Sequence, residues 1–381
     1  MKYYAIGFTF VLSLALLFIS GFFYPYKKET YSTDFKVLAT VIVPTPFVVT
    51  HLKTPEPLKA IYMSSWVAGN QKFRDSLVNI IDNTELNAVV IDIKDYTGRI
   101  SFLTENPKLK KIGSAENRIP DIKEFIGKLH EKGIYVIGRI SVFQDSYLVN
   151  RQPEYAVKTK SGEVWKDFKS VKWLDAGAMP VWEYIVSIGR EAHSLGFDEL
   201  NFDYIRFPSD GNMNDISYPF SEGKIKADVL NDFFAYIDMS FHKDDIPISA
   251  DLFGMTTSNK DDLGIGQILE NALSHFDYVS PMVYPSHYPP NFNGWANPAS
   301  KPYEVVSYAL SKGKEKAIMA STTSSKIRPW LQDFSINSTP YNAQMVRAQI
   351  QATYDVGFTS WMLWSAANTY TVSALETTNP Q

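Results

Sequence analysis

The sequence has no cysteine among its 381 residues. Disulfide frameworks, thiolate-ligated zinc and thiol nucleophiles are excluded, and so is a lipid anchor built on an N-terminal cysteine. Histidine is scarce, with six residues scattered along the chain. None falls in a His-Glu-x-x-His pattern, and His130-Glu131 has no second histidine at the required spacing, so no metal site is expected. There is no Gly-x-Ser-x-Gly elbow and no phosphate-binding P-loop. The only Gly-x-Gly, Gly264-Ile-Gly266, lacks a third glycine and does not directly follow a strand, which argues against a dinucleotide fold. No cofactor is expected. An excess of positive charge is also missing: 37 Lys and Arg stand against 41 Asp and Glu, which speaks against a nucleic-acid partner.

What is present is an ordinary globular composition, 45% apolar and 20% charged, enough to bury a substantial core. Aromatic residues make up 14%, a share that suits sugar stacking and a large core alike. At the N-terminus, residues 5–24 form an uncharged, almost wholly apolar run. Twenty helical residues at about 1.5 Å each match a hydrocarbon layer of about 30 Å. Lys2 precedes the run and Lys27 and Lys28 follow it. Residues 1–26 therefore read as a signal anchor or a signal peptide, placing the remainder outside the cytoplasm, either tethered to the membrane or secreted. Residues 27–57, with recurring Pro and Thr, read as a linker.

From Leu58 the texture changes to apolar strands alternating with amphipathic helices. Strands are expected at 60–66, 88–94, 134–143, 199–208, 246–255, 277–285, 316–323 and 357–365. Helices are expected near 71–83, 120–132, 177–195, 221–241, 265–275, 302–313 and 341–355. Strands too apolar to face water imply a parallel sheet covered by helices. Eight repeats predict an α/β fold closed as a (β/α)₈ barrel over residues 58–368, followed by a tail at 369–381. The longest insertion, 144–176, carries Trp165 and Trp173 and follows a strand, so it belongs to the face where such barrels place their active sites.

Side chains alternate along a strand, so parity separates the barrel interior from the helix-facing side. Val89, Ile91 and Ile93 oppose Val90, Asp92 and Lys94. Leu200, Phe202 and Tyr204 oppose Asn201 and Asp203. Ile248, Ala250 and Leu252 oppose Ser249, Asp251 and Phe253. The apolar sets must pack on helices, which turns Asp92, Asn201, Asp203 and Asp251 into the barrel mouth. The same rule turns Arg139 and Ser141, Met282 and Tyr284, and Met362 and Trp364 inward. Three aspartates converging from three apolar strands are costly unless paired or used. Asp203 and Asp251, on neighbouring strands, are expected about 5 Å apart, close to the separation used by retaining glycosidases. Mutual repulsion then raises one pKa and supplies a general acid.

Two segments, Asn87-Ala-Val-Val-Ile-Asp-Ile-Lys-Asp-Tyr-Thr-Gly98 and Gly196-Phe-Asp-Glu-Leu-Asn-Phe-Asp-Tyr-Ile-Arg-Phe-Pro208, with Ala250-Asp-Leu-Phe-Gly254 and Ser280-Pro-Met-Val-Tyr-Pro285, resemble a bacterial and archaeal domain family described as "putative glycosyl hydrolases". The resemblance spans essentially the whole barrel and implies a TIM barrel with a glycosidase-like site. In many such barrels the nucleophile ends strand 4, which falls on Asp203. The acid/base after strand 5 is often a glutamate, where this chain offers the shorter Asp251. The expectation is hydrolysis of a glycosidic bond in an extracellular or envelope polysaccharide. Asp203 is the nucleophile or charge stabiliser, Asp251 the proton donor, and Asp92 a third carboxylate. Arg139 and Arg206 orient the carboxylates and hold them ionised, while Asn201, Tyr284, Trp364 and Trp66 line the sugar subsite. The competing reading is a non-catalytic glycan-binding barrel tethered to the envelope.

Overall fold

The computed structural model describes residues 48–336 and 339–378. The expected N-terminal anchor lies outside the described residues. Among the described residues no helix is long and apolar enough to cross a membrane.

Eight strands close into a parallel barrel in sequence order: β1 (Lys59–Met63), β2 (Ala88–Lys94), β3 (Tyr135–Ser141), β4 (Glu199–Asp203), β5 (Ile248–Phe253), β6 (Tyr278–Val283), β7 (Trp330–Gln332) and β8 (Trp361–Trp364). The barrel helices between them are α1 (Gln71–Asn83), α2 (Ile122–Glu131), α3 (Met179–Ser194), α4 (Lys226–Phe241), α5 (Leu269–His275), α6 (Pro302–Met319) and α7 (Ala343–Val356). Each helix exists because its apolar residues recur every three or four positions. In α4, Val229, Leu230, Phe233, Phe234, Ile237 and Phe241 are buried, one stripe against the barrel. Local signals set the ends of α7: the Asn342 side chain accepts from the Met345 amide, and Gly357 closes the helix at φ 96°, a conformation in which a Cβ is strained.

The strand parities sort as the alternation predicts. Val89, Ile91, Ile93, Leu200, Phe202, Ala250 and Leu252 belong to the large core under the helices. Ala60, Tyr62, Val90, Ile137, Trp330 and Met362 form a second core inside the barrel. The lower interior is closed by an ion pair between Glu199 and Arg328, both fully buried.

The seventh strand is not where the alternation suggested. Residues 316–319 continue α6, whose buried positions Val305, Val306, Ala309, Leu310, Gly313 and Ala317 keep the helical period. Ile318 and Met319, which gave that segment its strand-like apolarity, are exposed. The true β7 is only three residues long. The Gln349 side chain of α7 extends its ladder: Oε1 accepts from the Gln332 amide at 2.9 Å and Nε2 donates to the Gln332 carbonyl at 2.8 Å.

The first strand is also shorter than expected, because Ser64 caps a helical turn at Ser65–Ala68. Beyond β3, the 144–176 insertion is tied to the loop after β4 by a two-stranded ribbon pairing Lys158 with Ser217 and Thr159 with Ile216. At its root the Lys94 ammonium, fully buried, lies 2.9 Å from Asp145. A register shift between Asp92 and Lys94 accompanies this placement. Removing one partner of a buried ion pair strands the other charge. Lys94→Met is therefore expected to cost about 3–5 kcal/mol of folding stability in a denaturant titration, and adding Asp145→Asn should recover part of it.

Candidate active site

The C-terminal ends of β2, β3, β4 and β5 bring four charged side chains together. Register places Asp92 beside Arg139, and Arg139 beside Asn201. The ladder Phe202 to Ala250 carries Asp203 next to Asp251. The interior face of each strand ends in a polar residue because its opposite face is committed to helix packing.

Arg139 is the hub. Its Nη1 donates to Asp92 Oδ1 at 2.7 Å and its Nε to Asp203 Oδ2 at 3.0 Å. Nη2 also donates to Asp203 Oδ2, and Nε stands 4.0 Å from Asp251 Oδ2. The guanidinium lies over the Trp364 ring at 5.0 Å and the Tyr62 ring at 5.7 Å. Burial alone would depress its pKa, but Asp203 and Asp92 hold it well above the usual guanidinium value. Asp92 takes a second bond at 2.5 Å from the Tyr62 hydroxyl. Burial nevertheless raises its pKa, against the opposing pull of Arg139.

Asp251 differs in kind. Its Oδ1 accepts from Asn201 Nδ2 at 2.9 Å and from Trp330 Nε1 at 2.8 Å. Both donors are neutral; with Arg139 they pull the carboxyl pKa down, but less than burial and Asp203 raise it. Burial, with Asp203 beside it, pushes the Asp251 carboxyl up to about 8. The two neighbouring carboxylates thus differ: Asp203 is ion-paired with Arg139, while burial and Asp203 favour the protonated form of Asp251. A proton donor beside an anionic carboxylate is the arrangement that glycosidic bond cleavage requires.

Above this set opens a cavity of about 320 Å³, lined by Asp203, Asp251, Arg139, Arg206, Tyr284 and Trp364 among others. Tyr284 is buried, and burial with Asp251 and Asp203 nearby drives its pKa well up, so it is a neutral hydroxyl here. Trp364 stacks on Tyr62 at 4.1 Å and meets Trp330 edge-on at 5.5 Å.

Three expected site residues sit elsewhere or act otherwise. Trp66 lies on the short helix after β1, 64% exposed, with the Arg118 guanidinium 4.4 Å from its ring. It does not line the cavity, because β1 ends at Met63 and the chain has already turned outward. Asn201 points inward but one layer lower, bonded to Ser249 and Asp251, so it holds Asp251. Arg206 pairs with no carboxylate among the described residues. Tyr204 adopts φ 54°, the strand alternation ends there, and Arg206 Nη1 donates instead to the Phe207 carbonyl and Ser209 Oγ.

Trp330, Tyr62, His287 and Tyr288 are not named by the sequence reading, and Phe253 enters it only through its parity with Asp251. Trp330 was hidden by the misplaced seventh strand. Tyr62 was legible, since it shares the parity of Ala60 on β1 and therefore faces inward. Within the 144–176 insertion both tryptophans are buried. Trp173 backs the site at 4.7 Å from the Arg206 guanidinium.

Comparison with known proteins follows the same lines. The model of a family described as "Putative glycosyl hydrolase domain" matches residues 60–370. Among solved structures, the glycoside hydrolase domain of PgaB (BpsB) from Bordetella bronchiseptica superposes with a TM-score of 0.61 at 13% identity, covering 82% of this chain and 95% of that one. That likeness shows the fold. An α-galactosidase from Thermus thermophilus solved with stachyose gives 0.50 at 11% identity, covering 84% of this chain and 63% of that one. A hypothetical protein from Ruminiclostridium thermocellum is 32% identical over 54% of this chain and 98% of its own, with a TM-score of 0.46. No curated protein matches the sequence.

Proposed function

Because this chain belongs to the putative glycosyl hydrolase domain family, we propose that it hydrolyses a glycosidic bond in an extracellular or envelope polysaccharide, with Asp251 as proton donor and Asp203 as nucleophile or charge stabiliser. The observation that carries this reading is the unequal environment of the two carboxylates. Asp203 is held by two donors of Arg139. Asp251 is held by neutral donors and has its pKa raised by burial. Bond cleavage needs a proton delivered to the leaving oxygen while positive charge develops at the sugar carbon. The protonated Asp251 serves the first need and the anionic Asp203 the second. Asp92, beneath Arg139, anchors the guanidinium that orients Asp203. Trp364 and Tyr284 give the cavity an aromatic wall and a hydroxyl for sugar binding. The apolar run at 5–24 supports the assignment to the cell surface or exterior.

The test is a screen of the full chain against bacterial envelope and storage glycans, read as new reducing ends, with Asp203→Asn as the blank. Release by the parent and none by the variant is expected. Binding of a glycan by both proteins without release would overturn hydrolysis in favour of a glycan-binding barrel.

A further inference from the structure

Of the two arginines lining the cavity, Arg206 is the one with no ion pair among the described residues. Only about 7% of it is exposed, yet no carboxylate among the described residues lies within ion-pair distance. Nη1 is used by the Phe207 carbonyl at 3.0 Å and Ser209 Oγ at 3.1 Å, both neutral. Nε and Nη2 have no hydrogen-bond partner among the described residues. Three rings fix the guanidinium plane, with Trp173 at 4.7 Å, Phe253 at 4.8 Å and Tyr204 at 5.6 Å. Asp167, one of the acids nearby, has its oxygens committed elsewhere. Asp167 Oδ1 accepts from the Lys169 and Val171 amides and Oδ2 from Trp173 Nε1, so it shapes the loop and aims Trp173. Asp203, Asp210 and Asp167 act on Arg206 only through space. Arg139, in the same cavity, shows the contrast: its donors are spent on Asp92 and Asp203.

A charge buried this deeply without a partner is costly, and burial accordingly lowers the Arg206 pKa. The two unused donors, Nε–H and Nη2–H, lie along one edge of the guanidinium. They form a planar fork whose spacing matches the two oxygens of a carboxylate. A neutral sugar hydroxyl would meet one donor and leave the charge unbalanced. We propose that Arg206 binds the carboxylate of an acidic sugar, making the substrate of this cavity a uronate-containing glycan with its charged residue next to the scissile bond. The carboxylate completes a pairing that the fold leaves open, and the aromatic clamp holds the fork in place before the ligand arrives. The inference rests on the reading of the cavity as a glycan site.

The experiment is calorimetric titration of the full chain with uronic-acid oligosaccharides, with their neutral and sulfated counterparts of the same linkage, and with inorganic sulfate. Reducing-end release is followed in parallel samples. The uronate ligand is expected to bind at least tenfold more tightly than the neutral one. Arg206→Gln should bring that ratio close to one. Arg206→Lys keeps the charge but loses the fork and should retain a part of the preference, which also controls for misfolding. Equal binding of acidic and neutral ligands by the parent would overturn the inference. So would a sulfated ligand or free sulfate preferred over the uronate, and so would an unchanged ratio in Arg206→Gln. Uronate-selective binding without release would leave it standing and defeat hydrolysis. Release from neutral and acidic chains at equal efficiency would do the reverse.

Discussion

Replacing Asp251 by asparagine should lower kcat by about 10²–10⁴-fold, the usual share of a positioned general acid, while leaving the protein folded. The amide keeps the shape of the carboxyl and still offers an oxygen to Asn201 and Trp330, but it has no proton to give. The parent should show its own signature. With the Asp251 carboxyl pushed up to about 8 by burial and by Asp203, activity should decline on the alkaline side as pH passes through that region, and this limb should be absent from the residual activity of Asp251→Asn. Stability should move the opposite way. A carboxyl whose folded-state pKa is raised binds its proton more tightly in the native chain than in the unfolded one. Its burial is therefore tolerated at acid pH, and the penalty grows as pH rises from about 4 through the raised value. Asp251→Asn removes that penalty, so its melting temperature should exceed the parent's by a margin that widens between pH 4 and pH 9. A uniform loss of stability at all pH values, or an alkaline limb that survives in the variant, would refute the assignment of the proton to Asp251.

The unequal treatment of these carboxylates shows how much of the site was legible in the sequence. Parity along an apolar strand is a strong constraint, because one face must bury against helices. Val89, Ile91 and Ile93 thus declared that Asp92 faces inward, and Leu200 and Phe202 did the same for Asp203. Depth is not encoded in parity. Asn201 shares the inward face of Asp203 yet sits two residues lower, about 6.6 Å along a strand, which turns a candidate sugar contact into a support for Asp251. Parity also stops at the first residue that leaves the strand. Tyr204 at φ 54° breaks it, and Arg206 falls among Trp173, Phe253 and Tyr204 rather than against Asp203. The seventh strand was illegible for a different reason. Trp330-Leu331-Gln332 carries too little apolar pattern to declare itself, and the Gln349 side chain supplies what its ladder lacks. With it went Trp330, the donor that fixes Asp251 from the far side. The eight-unit rhythm, by contrast, survived the error, because α6 and α7 still required a strand between them.

Arg139→Met should destabilise the fold by about 3–5 kcal/mol, lowering the melting temperature by on the order of 10 °C, and should abolish turnover. The cause is the two charges it strands, not the contacts it loses. Asp92 is buried and would keep only the Tyr62 hydroxyl at 2.5 Å. Asp203 would keep only the Tyr204 amide at 2.6 Å. Neither partner carries a positive charge, and leaving a carboxylate uncompensated costs far more than never having buried one. Two results follow that a packing defect would not produce. Burial already raises the Asp92 pKa in the parent against the pull of Arg139. Without Arg139 it must rise further, so the penalty should shrink towards pH 4, where the carboxyl can take a proton, and be largest above pH 8. The triple replacement Arg139→Met, Asp92→Asn and Asp203→Asn removes all three charges together, and it should regain most of the stability lost by the single change while remaining inactive. A triple variant as unstable as Arg139→Met alone would mean that stacking on Trp364 and Tyr62, rather than charge, is what Arg139 contributes to the barrel mouth.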